Sequence, residues 1–119
     1  MSAEVETYLN AQSPAFRPAL DQLRQQLRVL LPDHIECLSY AMPGSRQPGA
    51  RGKMVLGYAA FTRHIGLAPH SCTIIAQIDC TPFKTSKSGL LFTPDAPPPL
   101  ALITQILRLR QAELAKGRP

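Results

Sequence analysis

Apolar residues between Phe16 and Leu30 fall at Phe16, Leu20, Leu23, Leu27 and Leu30, with spacings of four, three, four and three. That rhythm predicts a helix with one buried stripe, and it places Arg17, Asp21, Arg24 and Arg28 on the outside. Ser13 as cap and Pro14 at the first helical position set its expected start, and Pro32 its stop. Pro18 falls within the first turn or so, where a missing N–H is tolerable. A shorter helix precedes it, capped by Ser2, with Glu4 and Glu6 near the positive end of the dipole and Val5, Tyr8 and Leu9 on one face. A last helix follows the stiff "PDAPPPL", with Leu100, Ile103, Ile106, Leu107 and Leu114 as its stripe and Gly117 as terminator.

Between these helices the period changes to two. Ile35 to Met42 reads as one strand, with Ile35, Cys37, Ser39 and Ala41 on one face and Leu38, Tyr40 and Met42 on the other. Pro43 and Gly44 end it, and "GSRQPGARGK" reads as a loop. Met54 to Phe61 is apolar on both faces and so is expected to be a central strand. Thr62 and Arg63 can form a tight turn into a third strand, Ile65 to Ala68, closed by Pro69. Ser71 to Cys80 is ambiguous: "TIIAQI" favours a strand, yet Ser71 could cap a short helix, and the reading leans to helix. Gly89 to Thr93 is a short fourth strand. Segregated helices and strands predict an α+β two-layer domain over residues 1–119. Its antiparallel sheet of about four strands is flanked by N-terminal helices and a C-terminal helix.

Composition narrows the class. A chain of 119 residues with 45% hydrophobic and 18% charged side chains can build one ordinary core without disulfides. No run nears the ~20 apolar residues of a membrane span. "MSAEVETYLN" lacks the basic-then-apolar order of a secretory signal, so the cytoplasm is the expected compartment. There Cys37, Cys72 and Cys80 are expected as free thiols. The net charge of +5 admits an anionic ligand, an acidic partner or nucleic acid. Aromatic residues are only 6%, with no tryptophan, so stacking platforms for nucleic acid are scarce. The basic C-terminal group Arg108, Arg110, Lys116 and Arg118 also suits the negative end of a helix.

Three stretches carry candidate chemistry. "FKTSKSG" offers Lys84 and Lys87, the hydroxyls of Thr85, Ser86 and Ser88, and Gly89, a set suited to a phosphate or carboxylate. It lacks the spacing of a nucleotide-binding P-loop, and its plain reading is a solvated connection. His64 opens a strand, and if Ile65 and Leu67 face the helices it points to the other side of the sheet. Tyr40 and Met42 could line the same open face, with Lys84 and Lys87 at its rim. In that cleft Tyr40 would pack a ligand, His64 would hydrogen-bond it, and the lysines would neutralise its charge. His70, Cys72 and Cys80 are possible zinc donors, but their spacing matches no finger and lacks a fourth ligand. Ser86 or Cys72 could serve as nucleophile with His64 as base, yet no hydrolase, zincin or dinucleotide motif occurs. An enzyme is therefore the minority reading, and no catalytic or metal-binding residue is assigned.

"SYAMPG" (Ser39–Gly44), "GYAAFTRHIGLAP" (Gly57–Pro69), "KTSKSGLLF" (Lys84–Phe92) and "PPPLALITQILRLR" (Pro97–Arg110), in this order, resemble the YdhG-like family of small bacterial proteins. Some of these are described as frataxin-like intracellular iron chaperones. The resemblance implies a helix-flanked antiparallel sheet. It sets Tyr40, Met42, Pro43, Phe61, His64, Gly66, Pro69, Lys84, Ser86, Lys87 and Gly89 at characteristic family positions, and iron as cargo is implied by it alone. The chain departs from the family at "SCTIIAQIDCTP", where one acid, Asp79, stands in place of several. Hard cations want oxygen ligands in numbers, and the eight acids here are spread out. The expectation is a small binding protein that holds an anionic molecule, or a partner's acidic segment, near Tyr40, Met42, His64, Lys84, Ser86 and Lys87. Iron delivery and weak nucleic-acid binding are the alternatives.

Overall fold

The structure, a computed structural model, describes residues 2–49, 51–71 and 73–116. Cys72, Gly117, Arg118 and Ala50 of the expected loop lie outside the described residues. Helix α1 spans Ala3–Asn10, and the Val5 N–H donates to the Ser2 hydroxyl at 3.3 Å, the expected cap. Val5 and Leu9 are buried, and the half-buried Tyr8 accepts the Ala60 N–H at 2.9 Å, pinning the helix to the sheet. Helix α2 spans Arg17–Leu30. It starts later than Ser13 and Pro14 suggest, because the Ser13 carbonyl accepts from the N–H groups of Phe16 and Arg17 and closes a separate turn first. Pro18 then falls in the first helical turn, where it removes no intrahelical bond.

The predicted stripe of α2 is buried at Leu20, Leu23 and Leu27. Arg24, expected outside, is only 6% exposed, because the chain beyond the helix brings Glu36 beneath it. Helix α3 spans Leu100–Ala115 and buries Ile103, Ile106 and Leu107. Leu100, expected in the stripe, is 49% exposed, whereas Arg110, expected in a basic surface, is 3% exposed. Arg110 Nε donates to the Met54 carbonyl at 3.1 Å and Nη1 to Glu113 at 2.8 Å, so its charge is buried with partners.

The sheet has six strands: β1 (Ile35–Ser39), β2 (Met42–Arg46), β3 (Met54–Ala60), β4 (Ile65–Ala68), β5 (Lys84–Ser86) and β6 (Gly89–Phe92). Their order is β1-β2-β3-β4-β6-β5, and every pairing is antiparallel. The α+β expectation holds, but the count of four strands falls short by two. The expected strand from Ile35 to Met42 is a hairpin, with Ser39 opposite Met42 and a turn at Tyr40 and Ala41. Both turn residues have positive φ, 52° and 61°, as a two-residue turn matched to strand twist requires. "GSRQPGARGK" is therefore part strand, and Pro43 lies within β2 rather than after a strand. The second addition is β5, paired to β6 through Lys84 opposite Leu91.

Ser71 to Cys80 forms neither a regular helix nor a strand among the described residues. One 3₁₀ turn, Ile75–Gln77, is its only regular element there. Ile74, Ile75 and Cys80 join the main core, while the hydroxyls of Ser71 and Thr73 donate to Glu113 of α3 at 2.9 and 2.6 Å. The apolar run of this segment is thus buried by lying along α3, without a ladder.

Alternation assigns the two faces of the sheet. Leu56, Tyr58, Ile65, Leu67, Leu90 and Phe92 form one buried cluster with the apolar stripes of the helices. Register partners share a face, so Cys37, Gly44 and Gly57 lie in a row on the other side, as do Ala59, Gly66, Leu91 and Lys84. Among the described residues no helix is long and apolar enough to cross a membrane.

A candidate anion cleft at one end of the sheet

The Phe61 N–H donates to the His64 carbonyl at 2.8 Å and closes the turn through Thr62 and Arg63. This places Arg63 and His64 at the end of the sheet where β4 begins. Ile65 and Leu67 are fully buried against the helices, so Gly66 faces the other side. There Phe61 leans over Gly66: a Cβ on that glycine would lie 2.8 Å from the Phe61 ring. The His64 and Phe61 rings are 5.5 Å apart, tilted by 42°. Lys84 arrives at the same end because it pairs with Leu91, which in turn pairs with Gly66.

These elements surround an open cleft of about 440 Å³ lined by Arg63, His64, Pro82, Phe83, Lys84, Leu91, Phe92, Thr93 and Ala96. Its floor is apolar, and its basic groups come from the β3–β4 turn and from β5. Among the described residues none of the ion pairs involves Arg63 or Lys84. Their charges are uncompensated beside an apolar surface.

The six residues singled out from the sequence divide. His64 and Lys84 line the cleft. Ser86 ends β5 and Lys87 opens the hairpin turn at the opposite end of the sheet, since Ser86 pairs with Gly89 and Leu90 with Leu67. Tyr40 is 88% exposed on the β1–β2 turn, at the same end as His64 but across the sheet. Two strand spacings, about 10 Å, separate β2 from β4, and four, about 20 Å, separate it from β5. Met42 starts β2, half-buried, and lines no part of the cleft. Sequence reasoning missed Arg63, Phe83 and Thr93. The turn reading at Thr62 and Arg63 could have found the first, since a turn next to His64 must carry its side chains to the same end.

A second, smaller cavity of about 100 Å³ lies under α2, lined by Arg24, Arg28, Glu36, Tyr58 and neighbours. Arg24 grips Glu36 with two bonds, Nε to Oε2 and Nη2 to Oε1, both 2.7 Å, and also reaches Glu6. The Ser2 N–H donates to Glu36 at 3.0 Å. Burial would raise the Glu36 carboxyl, but the Arg24 bonds and the Ser2 N–H outweigh it and hold the group below its ordinary value. Burial raises the Tyr58 phenol beside it. This cavity holds an ion pair joining α1, α2 and β1, and Arg28 Nη2 stands buried in its lining without a hydrogen-bond partner, 3.8 Å from Glu36.

Among the described residues no group of three or more His, Cys, Asp or Glu side chains could hold a metal ion. His70 and Cys80 of the possible zinc set are therefore not gathered with such partners, and Cys72 lies outside the described residues. Arg110 is buried and so leaves the basic C-terminal group, in which Arg108, bonded to Gln111 at 2.6 Å, and Lys116 are exposed.

The fold matches the crystal structure of a DUF1801-family protein, YdhG from Bacillus subtilis. The TM-score is 0.82 over 92% of this chain and 90% of that chain, at 14% sequence identity. At that identity the likeness is one of fold. No family model matches the chain, and no curated protein matches it.

Proposed function

We propose that the protein is a YdhG-like binding protein that takes a small amphiphilic anion, a carboxylate or phosphate on an apolar body, into the cleft at the end of β4, β6 and β5. One observation carries this reading: Arg63, His64 and Lys84 ring an apolar floor of Phe83, Leu91 and Phe92. Arg63 supplies a planar donor fork and Lys84 a point charge. The imidazole of His64 adds a directional hydrogen bond, and the floor takes the apolar body. A fully polar anion would leave Phe83 and Leu91 uncovered. A neutral apolar molecule would desolvate two cations without compensation.

The family resemblance and the shared fold support the YdhG-like assignment, while the resemblance also suggests iron as cargo. The residues do not fit a frataxin-like donor set, because Asp and Glu side chains are not clustered among the described residues and hard cations need several oxygens. An acidic peptide end could use the same cationic rim, and the test separates it from a small molecule. Melting temperature is measured with octyl phosphate, octanol, inorganic phosphate and an acidic hexapeptide. Octyl phosphate at 100 times its dissociation constant should add ~2.7 kcal/mol of stability. The other three should add far less, and Arg63→Ala with Lys84→Ala should abolish the shift. No shift by octyl phosphate, or an equal shift in the double variant, overturns the reading.

A further inference from the structure

The cavity under α2 lies between that helix and the inner face of the sheet. Register sets one wall. Glu36 pairs with Ser45 and Ser45 with Leu56, so all three face α2. Tyr58, two residues on from Leu56, points the same way. Arg24 and Arg28 of α2 form the other wall. The volume of about 100 Å³ is roughly that of three waters at ~30 Å³ each. Pro32 in its lining is exposed, so the cavity meets solvent on that side.

The charged groups of the lining are unequally served. Glu36 Oε2 accepts from Arg24 Nε, and Oε1 accepts from both Arg24 Nη2 and the Ser2 N–H. Arg24 Nη1 goes to Glu6. Arg28 is left out. Its side chain is 34% exposed, yet Nη2 is buried and has no hydrogen-bond partner among the described residues. Glu36 Oε1 lies 3.8 Å from that nitrogen, beyond hydrogen-bond distance. Tyr58 is 1% exposed. Burial first, then the field of Glu36, raises its phenol, and no hydrogen bond contributes. The hydroxyl therefore keeps its proton and can donate it. Ser45, also buried, brings a second hydroxyl. A buried donor without an acceptor costs free energy and asks for an explanation.

We propose that the cavity under α2 binds a small planar monoanion, a short carboxylate or bicarbonate, with Arg28 Nη2 and the Tyr58 hydroxyl as its main donors and the Ser45 hydroxyl as a third. Charge selects the class. The lining holds two guanidinium groups and one carboxylate. His34, also in the lining, is tied to Asp33 at 2.9 Å. Glu6 lies outside the lining and is shared with Arg17 at 3.8 Å. One positive charge, that of Arg28, is thus left over inside. Water would answer the donors but not the charge, whereas a monoanion answers both. A dianion would set excess negative charge beside Glu36. A planar oxyanion also suits a guanidinium edge, and the volume holds about three or four non-hydrogen atoms. The cavity shares no residue with the cleft and stands independently of the function proposed for it.

The test titrates the full, nitrogen-15-labelled chain with formate, acetate and bicarbonate at constant ionic strength, with chloride and phosphate as controls. Nuclear magnetic resonance reads the Arg28 Nε–H and the Ser45 amide. A ligand this small binds no tighter than roughly tens of micromolar, so the titration runs into the millimolar range. Both signals should move and saturate with at least one of the three planar anions, and the tightest of them tells a carboxylate from bicarbonate. Chloride and phosphate should not reproduce the movement. Tyr58→Phe removes only an unpaired hydroxyl and should keep the fold. It and Arg28→Gln should each weaken binding at least about ten-fold, read at Ser45, since a hydrogen bond to a charged group is worth that much. No saturable movement overturns the proposal and leaves a cavity for water. Equal movement with chloride or phosphate marks an adventitious ion only and overturns it too. So does affinity unchanged in both variants, or movement lost instead in Arg63→Ala with Lys84→Ala, which would put the anion in the cleft.

Discussion

The seam between α2 and the sheet and the free end of the sheet at β4, β6 and β5 use the same residue types in opposite ways. In the seam Arg24 is buried and its charge has an answer: Glu36 takes two of its bonds and Glu6 a third. At the free end Arg63 and Lys84 lie beside Phe83 and Leu91 with no ion pair among the described residues. A buried charge without a partner destabilises a fold, so a cation inside must be paired. An exposed cation beside apolar surface is tolerated, and it is available to a ligand. Composition therefore locates neither the structural nor the binding role, whereas pairing does.

The seam should be the more sensitive region. Arg24→Ala strips the main partner from Glu36, whose side chain is only 14% exposed, and leaves Arg28 at 3.8 Å as its nearest cation. Removing one member of such a buried pair should cost about 3–5 kcal/mol in urea unfolding. A loss below about 1 kcal/mol, the range of surface pairs, would mean that the two regions differ only in appearance.

Acid should reproduce part of that loss in the wild type. The Glu36 carboxyl is held low by Arg24 and the Ser2 N–H, which outweigh its burial. Glu113 is held low first by the Thr73 hydroxyl, then by Ser71 and Arg110, against burial. Both bind a proton more readily unfolded than folded. Their stabilisation is therefore full above the unfolded carboxyl value of about 4.3, and it is lost as pH falls through their lowered folded values. Urea midpoints measured from pH 6 downward should fall below about pH 4.3, and Arg24→Ala should show a shallower fall. Parallel curves for the two proteins would remove Glu36 from the account.

The seam was half legible in the chain. The stripe Leu20, Leu23, Leu27 announced α2, but Arg24 lies one step beyond Leu23 and is polar, so periodicity sets it outside. Only Glu36, twelve residues on, makes its burial tolerable, and no local pattern reports a partner at that separation. The same limit hid Arg110, whose partner Met54 lies 56 residues away. At the free end His64 and Lys84 were found, because strand alternation and loop chemistry are local signals. Ser86 and Lys87 were grouped with them because nearness in sequence hides a hairpin: two residues of β5 carry the chain away from the cleft. Tyr40 and Ala41 concealed the first hairpin, since neither residue type marks a turn that needs positive φ at both positions.

That hairpin supplies a third comparison at the same end of the sheet. Tyr40 and Ala41 hold left-handed backbone that costs roughly 1–2 kcal/mol per ordinary residue, and the Tyr40 ring is almost wholly exposed. Tyr40→Asn with Ala41→Gly supplies the residues this turn prefers and should raise stability by roughly 1–2 kcal/mol, with the fold unchanged by circular dichroism. A loss of stability would show that the exposed ring makes contacts that offset the strain.

The smallest effect on folding should come from the cleft. Arg63 and Lys84 are exposed and unpaired among the described residues, so Arg63→Ala with Lys84→Ala should shift unfolding free energy by no more than about 0.5 kcal/mol. Two positive charges removed from a chain of net charge +5 lower self-repulsion, so the small change should be a gain. A loss of 2 kcal/mol or so, in the range of a buried interaction, would reveal a structural role and weaken the contrast from the other side. A neutral result joined to a lost octyl phosphate shift would show that the charges at the free end act on a ligand, as those of the seam act on the fold.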